Sequence, residues 1–286
     1  MNVNTQDKIA TGIFYLIAGI ITIILGGILL FILIKGINGI SLNFLISEPE
    51  NMKSGGGIGP QLFNSFYLLI LTMIITIPLG VGGGIYMSEF AKDNWFTNFA
   101  RLVIEVLSSL PSIVVGLFGL LVLVQNMKLG FSMLAGAITL TIFNLPLMVR
   151  ITEQSLQRIS AKQKEGSLAM GVTHWDTIVH IMIPMALPSI TTGIILAAGR
   201  VFGEAAALMY TAGMSAPPLT KDNILNPFRS AETLAVHIWK VNAEGLAPDS
   251  AQIVASASLV LVIGVLLFNI ISRVIGKKLQ QKFTGQ

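Results

Sequence analysis

Six stretches of this chain are long and apolar enough to cross a bilayer as helices, which takes about 20 residues for a hydrocarbon core about 30 Å thick. They run approximately from Ile9 to Ile34, Leu62 to Met87, Leu102 to Val124, Phe131 to Val149, Ser189 to Thr211 and Ala251 to Ile275. Hydrocarbon offers no partner to a backbone N–H or C=O, so segments of this length must satisfy their own hydrogen bonds as helices. The expected fold class is therefore an all-α polytopic membrane protein, built as one transmembrane domain over residues 1–286. Only 11% of the residues are charged, against about a quarter in a soluble domain, which leaves lipid as the solvent for most of the outer face. The first run is too long for the apolar core of a signal peptide and lacks a small-residue cleavage site, so it is expected to stay as a helix.

The net charge of +4 does not indicate nucleic acid, because the basic residues fall between apolar runs rather than along one helical stripe. They read instead as orientation signals. With a cytoplasmic N terminus, the inner segments hold Lys8, Lys92, Arg101, Arg150, Arg158, Lys162, Lys164, Arg273, Lys277, Lys278 and Lys282. The outer segments hold the smaller set of Lys35, Lys53, Lys128, Lys221, Arg229 and Lys240. Both termini are thus expected in the cytoplasm. The absence of cysteine excludes disulfides and thiolate metal sites, and His174, His180 and His237 have no metal-ligand spacing.

Three connections are long enough to carry function: outer segments 36–61 and 212–250, and the inner segment 150–188. In 212–250, Pro217 and Pro218 break any helix. From Arg229 to Val241 a helical pattern returns, with Leu234, Ile238 and Val241 on one face. The glycine run Gly55-Gly56-Gly57-Ile58-Gly59 lacks the Gly-Lys-Ser/Thr ending of a phosphate-cradling loop, so no nucleotide site is expected in this chain. Gly80, Gly82, Gly83 and Gly84 permit close helix contact, and Pro78, Pro111 and Pro146 are candidate kinks.

The inner segment reads Glu165-Gly-Ser-Leu-Ala-Met-Gly171, continues through Thr173, and reaches Ile181-Met-Ile-Pro184. Gln163 to Met170 suits a helix, Gly171 suits a left-handed stop, and Thr173 suits the cap of a second helix running to Ile181. Pro184 and Pro188 are expected to stop that stretch before the fifth run begins. Two short helices at a sharp turn make a projecting elbow. Glu165, Gly171, Ile181 and Pro184 resemble the signature loop of ABC importer permeases, with Gly166 and Ser167 in place of two alanines and Ile183 in place of leucine. That resemblance implies the type I importer permease fold, in which such coupling helices seat in a cleft of a separate ATPase subunit.

Within the fifth run, Arg200 and Glu204 stand four residues apart. An arginine at membrane depth calls for a partner, and on a continuous helix Glu204 lies one turn away. A guanidinium fork also matches the oxygens of a tetrahedral oxyanion. The chain resembles PstA-type permeases of phosphate-specific ABC importers from about Gly55 onward. The likeness rests on Leu79-Gly80 with Ile85 to Phe90, on Pro111 to Phe118, on Leu145-Pro146 with Arg150 to Glu153, and on Arg200 to Gly213; Ala205 stands where the family pattern has threonine. It implies that Arg200 and Glu204 lie on the path of inorganic phosphate. Arg150 and Glu153 form a second candidate pair, at the exit side. The implied partners are a homologous second permease forming a heterodimer, an ATPase subunit dimer carrying ATP and Mg, and an extracytoplasmic phosphate-binding protein. The chain itself is expected to have no cofactor and no catalytic residue, and to reside in a bacterial or archaeal inner membrane. The elbow alone would suit an importer of another oxyanion such as sulfate or molybdate, against which the Arg200–Gly213 block speaks. An ion-coupled secondary transporter would leave the elbow without a role. An added signalling role stays open.

Overall fold

A computed structural model describes residues 3–50, 52–159, 161–215 and 217–284. All regular structure among them is helical, in the order α1 (Val3–Gly36), α2 (Leu42–Ile46), α3 (Gly59–Ile85), α4 (Trp95–Ser109), α5 (Ser112–Gly119), α6 (Met133–Gln157), α7 (Ala161–Ala169), α8 (His174–Thr177), α9 (Ile183–Gly203), α10 (Ala206–Met209), α11 (Leu234–Glu244) and α12 (Ser250–Thr284). Five helical runs, those of α1, α3, α6, α8–α9 and α12, are long and apolar enough to cross a membrane. The sixth candidate is the pair α4 and α5 with its π-helical extension to Asn126, bent by 105°.

That bend corrects the expectation of one continuous span over Leu102–Val124. Leu110 and Pro111 both adopt extended backbone, at ψ 136° and 140°. Proline disfavours a helical residue before it and removes an N–H. The Ser108 and Ser109 hydroxyls donate to the Glu105 and Val106 carbonyls, both at 2.7 Å, just before the break. Pro78 and Pro146, by contrast, sit inside α3 and α6 without ending them.

At the centre of the bundle, α3 lies along α6. Hydrophobic burial does little to join helices in lipid, so close packing and buried hydrogen bonds must hold this pair. Gly80 and Gly84 permit the approach. A Cβ on Gly80 would stand 2.4 Å from Met148 Cβ, and one on Gly84 2.4 Å from Thr152 Cβ. Higher up, Thr76 donates to Thr141 at 3.1 Å between buried hydroxyls. Leu68, Leu69, Met73, Leu140, Met148, Val201 and Phe202 complete the core around this axis with α9. By contrast, no residue in the most apolar part of α1 is buried. It touches α12 near its end, where Ser256 Oγ donates to Gly36 O at 2.9 Å.

At one end of the bundle the outer segment folds back as α11. It starts at Leu234 rather than Arg229, capped by the Thr233 hydroxyl and stopped by Gly245 at φ +58°. Leu234, Ile238 and Val241 pack together against Phe44, Ile58 and Ile253, as their spacing predicts. A buried polar network anchors the segment to α3. Gln61 Nε2 donates to Glu232 Oε2 at 3.1 Å, His237 Nδ1 lies 3.3 Å from the same oxygen, and Asn64 Nδ2 donates to Glu232 O at 2.9 Å. Arg229 Nη2 in turn donates to Asn64 Oδ1 at 2.6 Å. The glycine run before α3 is a backbone-packed turn, in which a Cβ on Gly57 or Gly59 would strike Ser47 or Ile46.

The fifth and sixth spans also shift. The run begun by α8 passes unbroken through a π turn at Ile178–Met182 into α9, which ends at Gly203. Neither Pro184, which follows directly on that π turn, nor Pro188, inside α9, stops it; a π turn widens the backbone spiral next to the proline that removes an N–H. The last run continues past Ile275 to Thr284. The α3–α6 contact yields a direct expectation. Gly84→Val should lower the thermal unfolding midpoint of the detergent-solubilised chain, since forcing methyl groups into a packed contact costs about 1–3 kcal/mol. Gly82→Val, with open space around its Cβ position, should leave that midpoint nearly unchanged.

Candidate functional site

The elbow between α6 and α9 forms as local rules dictate. Gly171 takes φ +82°, a left-handed conformation that ends α7 without steric cost. Thr173 then caps α8: its Oγ1 accepts from Asp176 N at 3.1 Å and its hydroxyl donates to Asp176 Oδ2 at 2.6 Å. A buried 2.9 Å hydrogen bond between the Ser167 and Thr177 hydroxyls ties the two legs together. Ile178 and Met182 of the second leg pack with Leu156 of α6 and with Ala186 and Ile190 against Val81 and Ile85 of α3. The tip presents apolar side chains to solvent, with Met170 84% and Trp175 57% exposed. Glu165 is exposed on the outside of α7, while Ile181 and Pro184 are half-buried where the second leg enters the bundle.

Arg200 and Glu204 do not form the predicted pair. Gly203 ends α9, and Glu204 follows in extended backbone at ψ 131°, so the four-residue spacing no longer places both side chains on one helix face. Glu204 Oε1 instead accepts a hydrogen bond from Ala207 N at 3.2 Å, steadying the turn into α10. The Arg200 guanidinium carbon lies 3.7 Å above the centroid of the Phe143 ring. A ring face attracts a cation and fixes its plane while consuming none of its N–H donors. Arg200 is exposed on the isolated chain, whereas the Phe143 beneath it is buried.

Arg150 and Glu153 also find other surroundings. Glu153 Oε1 accepts from Arg101 Nη2 of α4 at 2.9 Å and from Gln157 Nε2 at 3.2 Å. Among the described residues no carboxylate lies within ion-pair distance of Arg150. It lines a cavity of about 290 Å³ together with Arg101, Glu105, Glu153, Gln154 and Gln157. Phe143 and Arg150 are seven residues apart on α6, hence on one stripe and about 10 Å apart along the axis. The fold thus sets two guanidinium groups in series on that stripe, Arg200 through its stacking on Phe143 and Arg150 directly.

Sequence reasoning missed Phe143 and Arg101. Both act across long chain separations: an arginine at position 200 signals that some partner is needed but not which, and Arg101 reads in the sequence only as an orientation signal.

Comparison with known proteins supports the fold. Residues 80–285 match the family described as binding-protein-dependent transport system inner membrane component. A probable ABC transporter permease of Bacillus subtilis (strain 168), YqgI, is 51% identical over the whole length of both chains. The phosphate transport system permease protein PstA of Yersinia pestis is 33% identical, over 85% of this chain and 81% of its own. Among solved structures, a chain of a bacterial alginate ABC transporter, in complex with an alginate pentasaccharide-bound periplasmic protein, superposes with a TM-score of 0.70. That match covers 97% of this chain and 96% of the other at 13% identity, a likeness of fold.

The capped elbow can be tested without any partner. Thr173→Ala should cost about 1 kcal/mol of local stability by removing the cap. Hydrogen–deuterium exchange at residues 174–180 should accordingly quicken several-fold, with the exchange of α6 unaltered.

Proposed function

Because the chain belongs to the family of binding-protein-dependent transport system inner membrane components, we propose that it is the permease subunit of an ATP-driven importer whose substrate is inorganic phosphate. The observation that carries the substrate reading is the geometry of Arg200. Its guanidinium is oriented by the face of Phe143 and has no carboxylate within ion-pair distance among the described residues. A planar fork of N–H donors left free in this way matches two oxygens of a tetrahedral oxyanion. The phosphate permease of Yersinia pestis, at 33% identity, points to the same ion.

Translocation in this reading is alternating access with no covalent chemistry on the ion. Phosphate delivered by an extracytoplasmic binding protein, docked on the platform of α2 and α11, meets Arg200 first. Arg150 takes it next, about two helical turns along α6 toward the elbow end. Two sites of moderate strength pass an ion on, where one very strong site would hold it. Glu153 is engaged by Arg101, which leaves Arg150 free for the anion. Glu204 shapes the turn after Gly203 rather than neutralising Arg200.

The driving force comes from a partner. ATP and Mg act on a pair of ATPase subunits whose clefts receive the exposed Met170 and Trp175, with Glu165 and Gly171 setting the shape of the knob and Ile181 and Pro184 joining it to α9. A homologous second permease covers the face that carries Arg200 and Arg150. The complex sits in the inner membrane with both termini cytoplasmic, as the distribution of lysine and arginine favours.

The decisive measurement is uptake of radiolabelled phosphate by the reconstituted complex. Arg200→Gln should reduce uptake about 10- to 100-fold, the worth of a charge-assisted hydrogen bond of about 1.5–3 kcal/mol. Phe143→Leu, which removes the ring but keeps the cation, should reduce it only a few-fold. Uptake of sulfate or molybdate in preference to phosphate would replace the substrate assignment, and undiminished uptake by the glutamine variant would end the role of Arg200. A second expectation concerns the knob. Trp175→Asp should abolish co-purification of the ATPase subunits while leaving the fold intact, as read by pull-down beside size-exclusion chromatography.

A further inference from the structure

Glu89 has no part in the path described above, yet it is one of the few carboxylates in the chain that the fold buries, with its side chain only 4% exposed. It sits in the π turn Tyr86–Phe90 that ends α3, a turn closed by Ala91 N donating to Tyr86 O at 2.8 Å. Its Oε2 receives Lys164 Nζ of α7 at 2.5 Å and lies 3.4 Å from His174 Nε2, the first residue of α8. Ser88 Oγ donates to the other carboxylate oxygen at 3.0 Å. The Phe90 ring meets the His174 ring edge-on, with centroids 5.3 Å apart.

We infer that Glu89 is a positioning residue for transport, the joint through which both legs of the elbow move α3. This rests on the reading of the elbow as the ATPase contact. The second leg is already held to α3 by the apolar packing of Ile178 and Met182 near Val81 and Ile85. Among the described side chains the first leg has no part in that apolar cluster, and the ties it shows are the Ser167–Thr177 hydrogen bond to the other leg and the Lys164–Glu89 bond to α3. Remove Glu89, and α7 is left to swing about the left-handed Gly171, so that a push on the knob is spent in the hinge. With Glu89 in place, α7, α8 and the end of α3 form a triangle braced on all three sides. Displacement then passes to α3, and through the Gly80 and Gly84 contacts to Met148 and Thr152 of α6, which bracket Arg150. Burying a carboxylate costs desolvation that only close cationic partners offset. An end of α3 needing nothing more than solubility would leave its acid in water.

The test uses the full chain in its complex, reconstituted in vesicles, and reads phosphate delivered per ATP hydrolysed. Glu89→Gln and Lys164→Gln should each lower that ratio about tenfold, a coupling loss within the usual range for linked sites. The charge exchange Glu89→Lys with Lys164→Glu should restore a substantial part of it, which a merely structural role for either residue does not predict. On the same purified chains, hydrogen–deuterium exchange at residues 163–170 should quicken about tenfold in each single variant. An unaltered ratio together with unaltered exchange would overturn the inference. If Glu89→Gln does not assemble, Lys164→Gln carries both measurements, since the side chain replaced is a third exposed and a glutamine amide can still donate to a carboxylate. Should the wild-type complex deliver no phosphate at all, the functional reading fails, and the exchange rates still decide whether Glu89 holds the elbow.

Discussion

The bundle depends on how closely α3 and α6 can lie. In lipid, an apolar side chain gains little by leaving hydrocarbon for the protein interior, so helices stay together only where their surfaces touch over many atoms. Gly80 and Gly84 remove the side chains that would hold α3 off, and Met148 and Thr152 fill the space they leave. This contact fixes the rotation of α6 about its own axis. That rotation in turn determines how its residues are distributed around the bundle, and Phe143, buried beneath Arg200, shares one stripe with the exposed Arg150.

Arg200 is held by stacking on a ring rather than by a close ion pair. A carboxylate within hydrogen-bond distance would occupy its N–H donors, whereas the face of Phe143 orients the guanidinium and leaves those donors free. Glu153 shows the opposite arrangement. It is tied to Arg101 and to Gln157, and among the described residues no carboxylate lies within ion-pair distance of the nearby Arg150. The same two residue types therefore serve structure in one place and availability in the other.

Five of the six spans, the elbow and its caps were legible in the sequence because each depends on residues near in sequence. Apolar length defines a crossing, Gly171 defines a left-handed stop, and Thr173 defines a cap. The elements that escaped were those decided by distant contacts or by one residue overriding a pattern. Gly203 ends α9 one residue before Glu204, which undoes a four-residue spacing that looked sufficient. Pro111 was visible as a possible kink, but the 105° turn it produces depends on where α4 settles against α6. Pro184 illustrates the converse, since a residue expected to break a helix is carried through one where the backbone widens into a π turn. Phe143 beneath Arg200 and Arg101 beside Glu153 had no local signal at all.

The broken crossing at Leu110–Pro111 has a consequence for how the molecule sits in its membrane. A helix set nearly at right angles to its neighbour behaves as an outrigger on a hull. With Trp95, Phe96, Phe99, Leu102 and Val106 turned outward, α4 carries a broad apolar face on the outside of the bundle. Through the grip of Arg101 on Glu153, any displacement of that face is handed on to the end of α6 that bears Arg150.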